Sequence, residues 1–140
     1  LDGKNNYLSL ENFDQLIKRF PDSKYAKDSY QKIILVNSNI AAKHMDIGRF
    51  YQKNKKYTAA LNRYKIVTDN YSETKFIEEA LYRISEIYYS IGMIDESKKT
   101  AAILGYNYPD SEWYEFSYEN LSNKEKDTIF SKSIEMIFNK

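Results

Sequence analysis

The stretch Tyr108-Pro109-Asp110-Ser111-Glu112-Trp113 recurs in altered form at two earlier places in the chain. These are Phe20-Pro21-Asp22-Ser23-Lys24-Tyr25 and Tyr71-Ser72-Glu73-Thr74-Lys75-Phe76. Each copy consists of an aromatic residue, a proline or serine, an acidic residue, a residue with a hydroxyl group, a charged residue and a second aromatic residue. A proline ends one helix, and a hydroxyl side chain can cap the start of the next one. The three copies therefore predict three equivalent helix boundaries.

The distances between these boundaries indicate the kind of repeat. Tyr71 and Tyr108 lie 37 residues apart, close to the roughly 34-residue period of tetratricopeptide repeats. Phe20 and Tyr71 lie 51 residues apart, and the surplus falls within 24–52. The spacing thus predicts an all-α, tetratricopeptide-like helical-hairpin superhelix (an α-solenoid) with one long helix near 24–52. Such hairpins bury their apolar faces only by stacking on neighbours.

Apolar residues recur at steps of three and four, which places one apolar face on each helix. The stripes are Tyr30, Ile33, Ile40, His44, Ile47, Tyr51; then Ala60, Leu61, Tyr64, Val67, Tyr71; then Ile77, Ala80, Leu81, Ile84, Ile87, Tyr88, Ile91. Small residues at Gly48 and Ala60 predict a close approach of two helices. The pattern predicts seven helices, at about 6–20, 24–52, 57–70, 74–91, 94–106, 111–120 and 123–138.

Three residues mark individual helix ends. Thr58 is the expected cap after the polar break Lys53-Asn54-Lys55-Lys56, and Gly92 suits the left-handed position that closes a helix. Ser122 has capping-box spacing to Glu125 and predicts the start of the last helix, which carries Ile129, Phe130, Ile134 and Ile137. We interpret residues 1–140 as one domain of about three repeats plus C-terminal helices.

Composition limits the possible functions. Only 4 Gly and 2 Pro among 140 residues disfavour a many-stranded fold, which needs turn residues at each reversal. The 21 basic and 20 acidic residues give a net charge of +1, which gives no reason to expect a nucleic-acid partner. No apolar run approaches the roughly 18 residues that span a bilayer. Because the chain begins with Leu1 rather than Met, we expect a processed chain or a fragment.

No catalytic or metal-binding constellation is recognisable. The chain has no cysteine and one histidine, His44, which we interpret as a half-buried packing residue without companion ligands or a nucleophile. The adjacent acids Glu78/Glu79 and Asp95/Glu96 diverge by roughly 100° on a helix, so neither pair forms an acid–base site. The sequence therefore predicts a protein that is not an enzyme and holds no cofactor or metal.

The basic and aromatic residues have ordinary structural interpretations as well. Lys53, Lys55 and Lys56 fit a solvated turn better than an anion-binding patch. Many of the 14 tyrosines fall on packing stripes. Trp113 is expected to pack under the preceding hairpin. Tyr82 and Tyr89 lie off the stripe and are interpreted as exposed aromatic anchors on the groove of the repeat.

The residues around the third boundary resemble a known family. Leu104-Gly105 and Asn107-Tyr108-Pro109-Asp110-Ser111-Glu112-Trp113-Tyr114 look like the C-terminal region of the BamD family of tetratricopeptide lipoproteins. Residues 40–53, the segment 57–64 and the first boundary, followed by a long helix, are also similar to that family. The resemblance covers roughly 8–118 and leaves 119–140 unaligned.

This resemblance implies a function and a location. It implies a non-catalytic scaffold of the β-barrel assembly machinery on the periplasmic face of the outer membrane, which assists insertion of outer-membrane proteins. The implied partners are the POTRA domains of BamA, other assembly-complex lipoproteins and unfolded outer-membrane proteins. Membrane association would depend on a lipid anchor outside this chain. This chain would correspond to the C-terminal half of a full-length member of the family.

Placing the sequence on the repeat assigns six partner-binding positions on the groove: Arg49, Gln52, Glu79, Tyr82, Glu86 and Tyr89. Two alternatives remain open at this point. One is another periplasmic tetratricopeptide adaptor, of the Tol-Pal coordinator type, that mediates protein–protein interaction. The other is an RNA-binding helical repeat, which would require a basic groove and a steep dependence of binding on salt.

Overall fold

The computed structural model describes residues 3–139, which form six α-helices and no β-strand. The helices are α1 (Gly3–Arg19), α2 (Lys24–Lys53), α3 (Tyr57–Asn70), α4 (Ile77–Ser90), α5 (Ile94–Asn107) and α6 (Glu112–Phe138). Side chains are described from Leu10 onward, apart from Phe130 and Lys140. The predicted all-α, tetratricopeptide-like fold with one long helix at 24–52 is confirmed. None of the helices described is long and apolar enough to cross a membrane.

The chain divides into two compact units, and the division falls inside α4, between Ala80 and Leu81. In unit 1, helices α1 and α3 both pack on α2. Its buried apolar side chains are Ala26, Ile40, Ala41, Met45, Ala60, Leu61, Tyr64, Val67, Ile77 and Ala80. In unit 2 the buried apolar side chains are Leu81, Tyr82, Ile84, Ile87, Ala101 and Leu104.

The 37-residue repeat is present in the backbone itself. Helices α3 and α5 both contain 14 residues, and both of their ends are 37 residues apart. The turns before them close in the same way. Lys55 (φ 60°) and Gly92 (φ 84°) adopt the left-handed conformation, and the next residue's N–H reaches back to a tyrosine carbonyl, from Lys56 to Tyr51 at 2.9 Å and from Met93 to Tyr88 at 2.8 Å. The predicted left-handed role of Gly92 is confirmed.

In unit 1 the helix pair α2–α3 packs around a glycine. A Cβ atom added to Gly48 would lie 2.5 Å from Cε1 of Tyr64, so the tyrosine ring lies directly against the α2 backbone. Tyr64 is fully buried and donates a 2.8 Å hydrogen bond from its hydroxyl to Oε1 of Gln52. Ala60, one turn before Tyr64 on α3, is also fully buried. The small residue at 48 therefore allows the close approach that the sequence predicts.

In unit 2 two serines occupy the positions that Gly48 and Ala60 occupy in unit 1, 37 residues later. Ser85 Oγ donates to the Ser97 carbonyl at 2.9 Å, and Ser97 Oγ donates to the Ser85 carbonyl at 2.8 Å. The two hydroxyls lie 3.1 Å apart and both serines are buried. Helices α4 and α5 are therefore joined by reciprocal hydrogen bonds at the point where the other repeat uses glycine and alanine.

Several predicted helix ends differ from the structure. The two last helices are one, because Ser122 and its neighbours include no Pro or Gly and continue the helix through the predicted capping box. Helix α4 begins at Ile77 rather than 74, since Thr74 Oγ1 donates to the Tyr71 carbonyl within a turn. Thr58 does not cap α3, whose N-cap is Lys56. At the first boundary Ser23 caps α2 as predicted, accepting from Ala26 N at 3.1 Å.

The predicted apolar stripe of α2 is only partly buried. Ile40 belongs to the core, but Tyr30 is 56% exposed. The line that faces the core runs through Ala41, Met45 and Gly48 instead. A pattern search that looks for large apolar residues misses a face built from small residues and a methionine, although these allow the closest helix packing.

We expect Gly48→Ala to destabilise the chain. Helix propensity alone would favour alanine by about 1 kcal/mol, but overpacking against a fixed ring costs about 1–3 kcal/mol. Because Tyr64 is fully buried, overpacking should outweigh the propensity gain, and a net loss of up to about 2 kcal/mol is expected from urea unfolding followed by circular dichroism. Asn39→Ala, on the exposed side of α2, is the matched control and should change little. An unchanged or increased unfolding free energy for Gly48→Ala would contradict the close contact.

The serine pair predicts energetic coupling. Ser85→Ala and Ser97→Ala should each lower the unfolding free energy by about 0.5–1.5 kcal/mol, because each removes a buried hydrogen bond. The two hydroxyls are adjacent, so the double variant should depart from additivity by about 0.5 kcal/mol or more. A double-mutant cycle in urea measures this coupling. Strict additivity would show that the two hydroxyls act independently.

Candidate functional site

In unit 1 the predicted binding residues Arg49 and Glu79 form an ion pair between α2 and α4. Arg49 Nη2 lies 2.5 Å from Glu79 Oε2, and Arg49 Nε donates to Oε1 at 3.4 Å. Arg49 Nη1 also lies 2.8 Å from Asp46 Oδ1. Glu79 is only 8% exposed, whereas about a third of the Arg49 side chain remains accessible. The guanidinium thus neutralises a buried carboxylate and still presents an edge to solvent.

Gln52, the third predicted residue in unit 1, lies one turn after Arg49. Its side-chain oxygen accepts the Tyr64 hydroxyl hydrogen bond, and the side chain remains half-exposed. Arg49 and Gln52 therefore lie on the same side of α2, and each is fixed by a contact to a buried residue of another helix. Side chains fixed in this way lose little conformational entropy on binding.

A second polar cluster in unit 1 surrounds the only histidine. Arg63 Nη1 lies 3.2 Å from His44 Nδ1, which accepts the hydrogen bond, and the imidazole stacks on Tyr71 at 6.2 Å between ring centroids. Burial lowers the pKa of His44, and the positive charges of Arg63 and Lys43 lower it further. The predicted half-buried packing role of His44 is confirmed.

In unit 2 the predicted residue Tyr82 is covered by α6. Its ring centroid lies 5.2 Å from that of Trp113 and 6.4 Å from that of Phe116. Its hydroxyl accepts a hydrogen bond from Asn120 Nδ2 at 2.9 Å. Tyr82 is therefore 8% exposed, and the expectation that it is an exposed anchor is wrong. Trp113 packs against α4, the first helix of the preceding hairpin, as predicted.

Glu86 and Tyr89 follow Tyr82 along the same side of α4 and remain half-exposed. The Glu86 carboxylate lies 3.4 Å from the Tyr82 hydroxyl and 3.5 Å from Arg83 Nη1. Lys124 of α6 places its ammonium 4.4 Å from the centroid of the Tyr89 ring. All three predicted residues of unit 2 line one small cavity of about 10 Å³ beneath α6, enough for about one water molecule.

The repeat relates the predicted binding residues of unit 1 to those of unit 2 by position in the sequence. Arg49 and Glu86 are 37 residues apart, as are Gln52 and Tyr89, so each pair occupies equivalent positions of the 37-residue repeat. Each unit therefore offers a polar residue and, one turn later, an amide or aromatic side chain on the same helix face. The arrangement is suited to recognising another protein, with direction-specific polar groups beside aromatic surface.

Comparison with known proteins places this fold in a family. The family model described as "YfiO: Outer membrane lipoprotein" matches residues 2–104. The chain belongs to this family. The family match ends at Leu104, so α6 lies beyond it. The resemblance inferred from the three boundaries is confirmed.

Curated relatives within this family are named outer membrane protein assembly factor BamD. The chain is 48% identical over 122 residues to the protein of Rickettsia prowazekii (strain Madrid E), covering 87% of this chain and 49% of the relative. It is 41% identical over 108 residues to that of Caulobacter vibrioides (strain ATCC 19089 / CIP 103742 / CB 15), covering 77% and 35%. The chain thus spans about half or less of the length of these relatives.

Sequence reasoning missed the contribution of α6 to the site. Asn120 and Lys124, one turn apart, contact Tyr82 and Tyr89 respectively. The predicted break between the helices 111–120 and 123–138 had separated Lys124 from Asn120 and the aromatic segment. Their spacing of four on an uninterrupted helix was the available signal.

The lysines at 53, 55 and 56 are exposed around the turn after α2.

The polar residues of the described part of the chain are engaged mainly with one another. No group of three or more His, Cys, Asp or Glu residues that could hold a metal ion occurs among the described residues. His44 is engaged by Arg63 rather than by a nucleophile. Arg49, Gln52 and Glu86 are held in ion pairs and hydrogen bonds, which fixes the orientation of their side chains.

The lowered pKa of His44 predicts a pH dependence of stability. The unfolded histidine, with a pKa near 6.5, binds protons at higher pH than the folded one does. The unfolding free energy should therefore fall as the pH falls from about 7.5 to about 5.5. His44→Gln should show a smaller fall over the same interval, measured by urea unfolding at both pH values. Equal falls in the two proteins would contradict this assignment.

Proposed function

We propose that this chain is a non-catalytic scaffold part of the outer-membrane β-barrel protein assembly complex. It binds the POTRA region of the BamA subunit and assists the insertion of outer-membrane proteins. Other lipoproteins of the complex and unfolded outer-membrane proteins are further partners. It acts at the periplasmic face of the outer membrane, where a lipid anchor outside this chain holds the full protein.

One observation carries the proposal: 48% identity over 122 residues to a relative named as an outer membrane protein assembly factor. The alignment covers 87% of the chain, so the similarity extends well beyond a single motif. The family description, outer membrane lipoprotein, supports the proposed location. Because this chain covers 49% of that relative, the proposal concerns only the part of the assembly function that these repeats carry out.

Docking on helix faces is the mechanism that the contacts support. The ion pair between Arg49 and Glu79 orients a guanidinium edge toward solvent. In unit 2, Tyr82 is buried and supports its neighbours, while Glu86 and Tyr89 are accessible. We assign partner contact to Arg49, Gln52, Glu86 and Tyr89, with Glu79 and Tyr82 holding them in place. Pre-oriented side chains lower the entropy cost of association.

The charges of the site favour a protein partner over a nucleic acid. Two of the six assigned residues are acids, Glu79 and Glu86, and one is basic, Arg49. A phosphate backbone would be repelled by the accessible carboxylate of Glu86. A protein surface can complement both signs. The assembly-factor relatives likewise favour this proposal over a Tol-Pal coordinator type of adaptor.

The decisive test is binding of this chain to the POTRA domains of the cognate BamA. The 140-residue chain and the POTRA domains should co-purify and give a saturable calorimetric titration. No complex at high micromolar concentration of either protein would remove the proposal. Persistence of binding at moderate salt would separate this contact from a phosphate-type interaction, which weakens steeply.

A double variant of Glu86 and Tyr89, the two accessible residues assigned in unit 2, tests the assigned site more specifically. Glu86→Gln with Tyr89→Ala should weaken POTRA binding by about tenfold or more, because an accessible aromatic anchor and a charge are lost together. Tyr25→Ala with Asp28→Asn is the matched control, since both residues are exposed on α2 outside the site. Circular dichroism should show both variants folded. Equal weakening by the control would contradict the assigned site.

A further inference from the structure

A second surface of unit 2 has a charge that the rest of the chain does not share. Residues 100–123 contain four carboxylates, Asp110, Glu112, Glu115 and Glu119, and no lysine or arginine. The whole chain is balanced at +1. Most of this stretch lies beyond Leu104, where the family match ends. The first turns of α6 therefore form a local negative region on a nearly neutral protein.

The side chains on this region are arranged in two parallel rows. Tyr114 and Tyr118 are four residues apart on α6, and so are Glu115 and Glu119, which places each row along one side of the helix. These four residues line an open depression of about 540 Å³. We call these four residues the tyrosine–glutamate face. Its two turns are separated by about 6 Å along the helix axis.

The carboxylates and hydroxyls of the tyrosine–glutamate face have no partner within the described part of the chain. Neither carboxylate of the face takes part in an ion pair, and neither tyrosine hydroxyl takes part in a hydrogen bond, among these residues. Tyr118 is 65% exposed. Tyr114 is fixed from behind, because a Cβ atom on Gly105 of α5 would lie 2.6 Å from Cζ of its ring. One ring is thus held in place and the other is accessible.

Helix stability does not explain this arrangement. Like charges at positions i and i+4, as at Glu115 and Glu119, destabilise a helix. The helix dipole favours acids in the first turn of α6, which accounts for Glu112 and Glu115 but not for Glu119. An exposed tyrosine beside an unpaired acid pair has its natural complement in a cationic group.

We propose that the tyrosine–glutamate face docks a basic segment of a partner protein that carries two arginine or lysine side chains. Each carboxylate pairs with one cation, and the adjacent tyrosine ring contacts it through a cation–π interaction. Alternate residues of an extended strand lie roughly 6.6–6.8 Å apart on one side, close to the spacing of the two helix turns. An extended segment with arginines at alternate positions therefore fits this face.

This surface is separate from the residues assigned to POTRA binding, and the proposal does not depend on that assignment. The tyrosine–glutamate face shares no residue with the assigned set, and none of its members lines the cavity under α6. Loss of binding at one surface with retention at the other would distinguish the two proposals.

The test uses the full 140-residue chain and a fluorescently labelled peptide of alternating threonine and arginine. Anisotropy should show saturable binding that weakens with salt, while the same peptide with glutamate in place of arginine should not bind. Glu115→Gln with Glu119→Gln, and separately Tyr118→Ala, should each weaken binding by about tenfold. Asp69→Asn with Asp127→Asn, a matched pair of exposed acids elsewhere, should change it by about twofold or less.

Three outcomes would overturn the proposal. The first is no saturable binding of the arginine peptide. The second is equal weakening by the control pair, which would mean attraction by overall charge alone. The third is a chain that dimerises in sedimentation and loses its dimer in the Glu115→Gln, Glu119→Gln variant, since the occupant would then be a second copy.

Discussion

The close approach of paired helices next to each repeat turn is the contact on which the other features depend. In unit 1 the absence of a side chain at Gly48 lets the Tyr64 ring lie on the α2 backbone. In unit 2 two serines at the equivalent positions donate to each other's carbonyls. Both solutions bring backbones together without leaving a buried polar group unsatisfied. At the same position of the repeat, the paired helices are held together by packing alone in unit 1 and by hydrogen bonds in unit 2.

This contact positions the residues assigned to function. Tyr64 fixes Gln52 through its hydroxyl, and Gln52 shares a face of α2 with Arg49. In unit 2 the joined helices α4 and α5 support α6, whose Trp113 and Phe116 cover Tyr82. The covering of Tyr82 converts an apparent anchor into a supporting residue and leaves Glu86 and Tyr89 to meet solvent. Recognition therefore depends on side chains that the core itself immobilises, as expected for pre-organised docking.

The sequence predicted correctly several features whose signal lies within a few neighbouring residues. Ser23 was predicted as a cap because capping involves an oxygen and an N–H three residues away, and Gly92 because a left-handed turn is a property of one residue. Ser122 was misleading for the same reason, since a capping-box spacing also occurs inside a continuous helix. Gly48 was predicted as a position of close helix approach, but Ala41 and Met45 on the same buried line were missed, because a small residue and a single methionine give a weak signal beside the larger apolar residues of α2.

The sequence alone was sufficient for the helical class, the 37-residue repeat, the long second helix and the family resemblance, because each of these is written in the order and spacing of residues along the chain. The sequence was not sufficient to determine which groove residues are exposed to solvent. Tyr82 and Tyr89 have similar places in the pattern, yet only Tyr82 is buried, because Trp113 and Phe116, more than 30 residues later, cover it. Burial is a property of contacts between distant segments, and spacing along a single helix does not contain it.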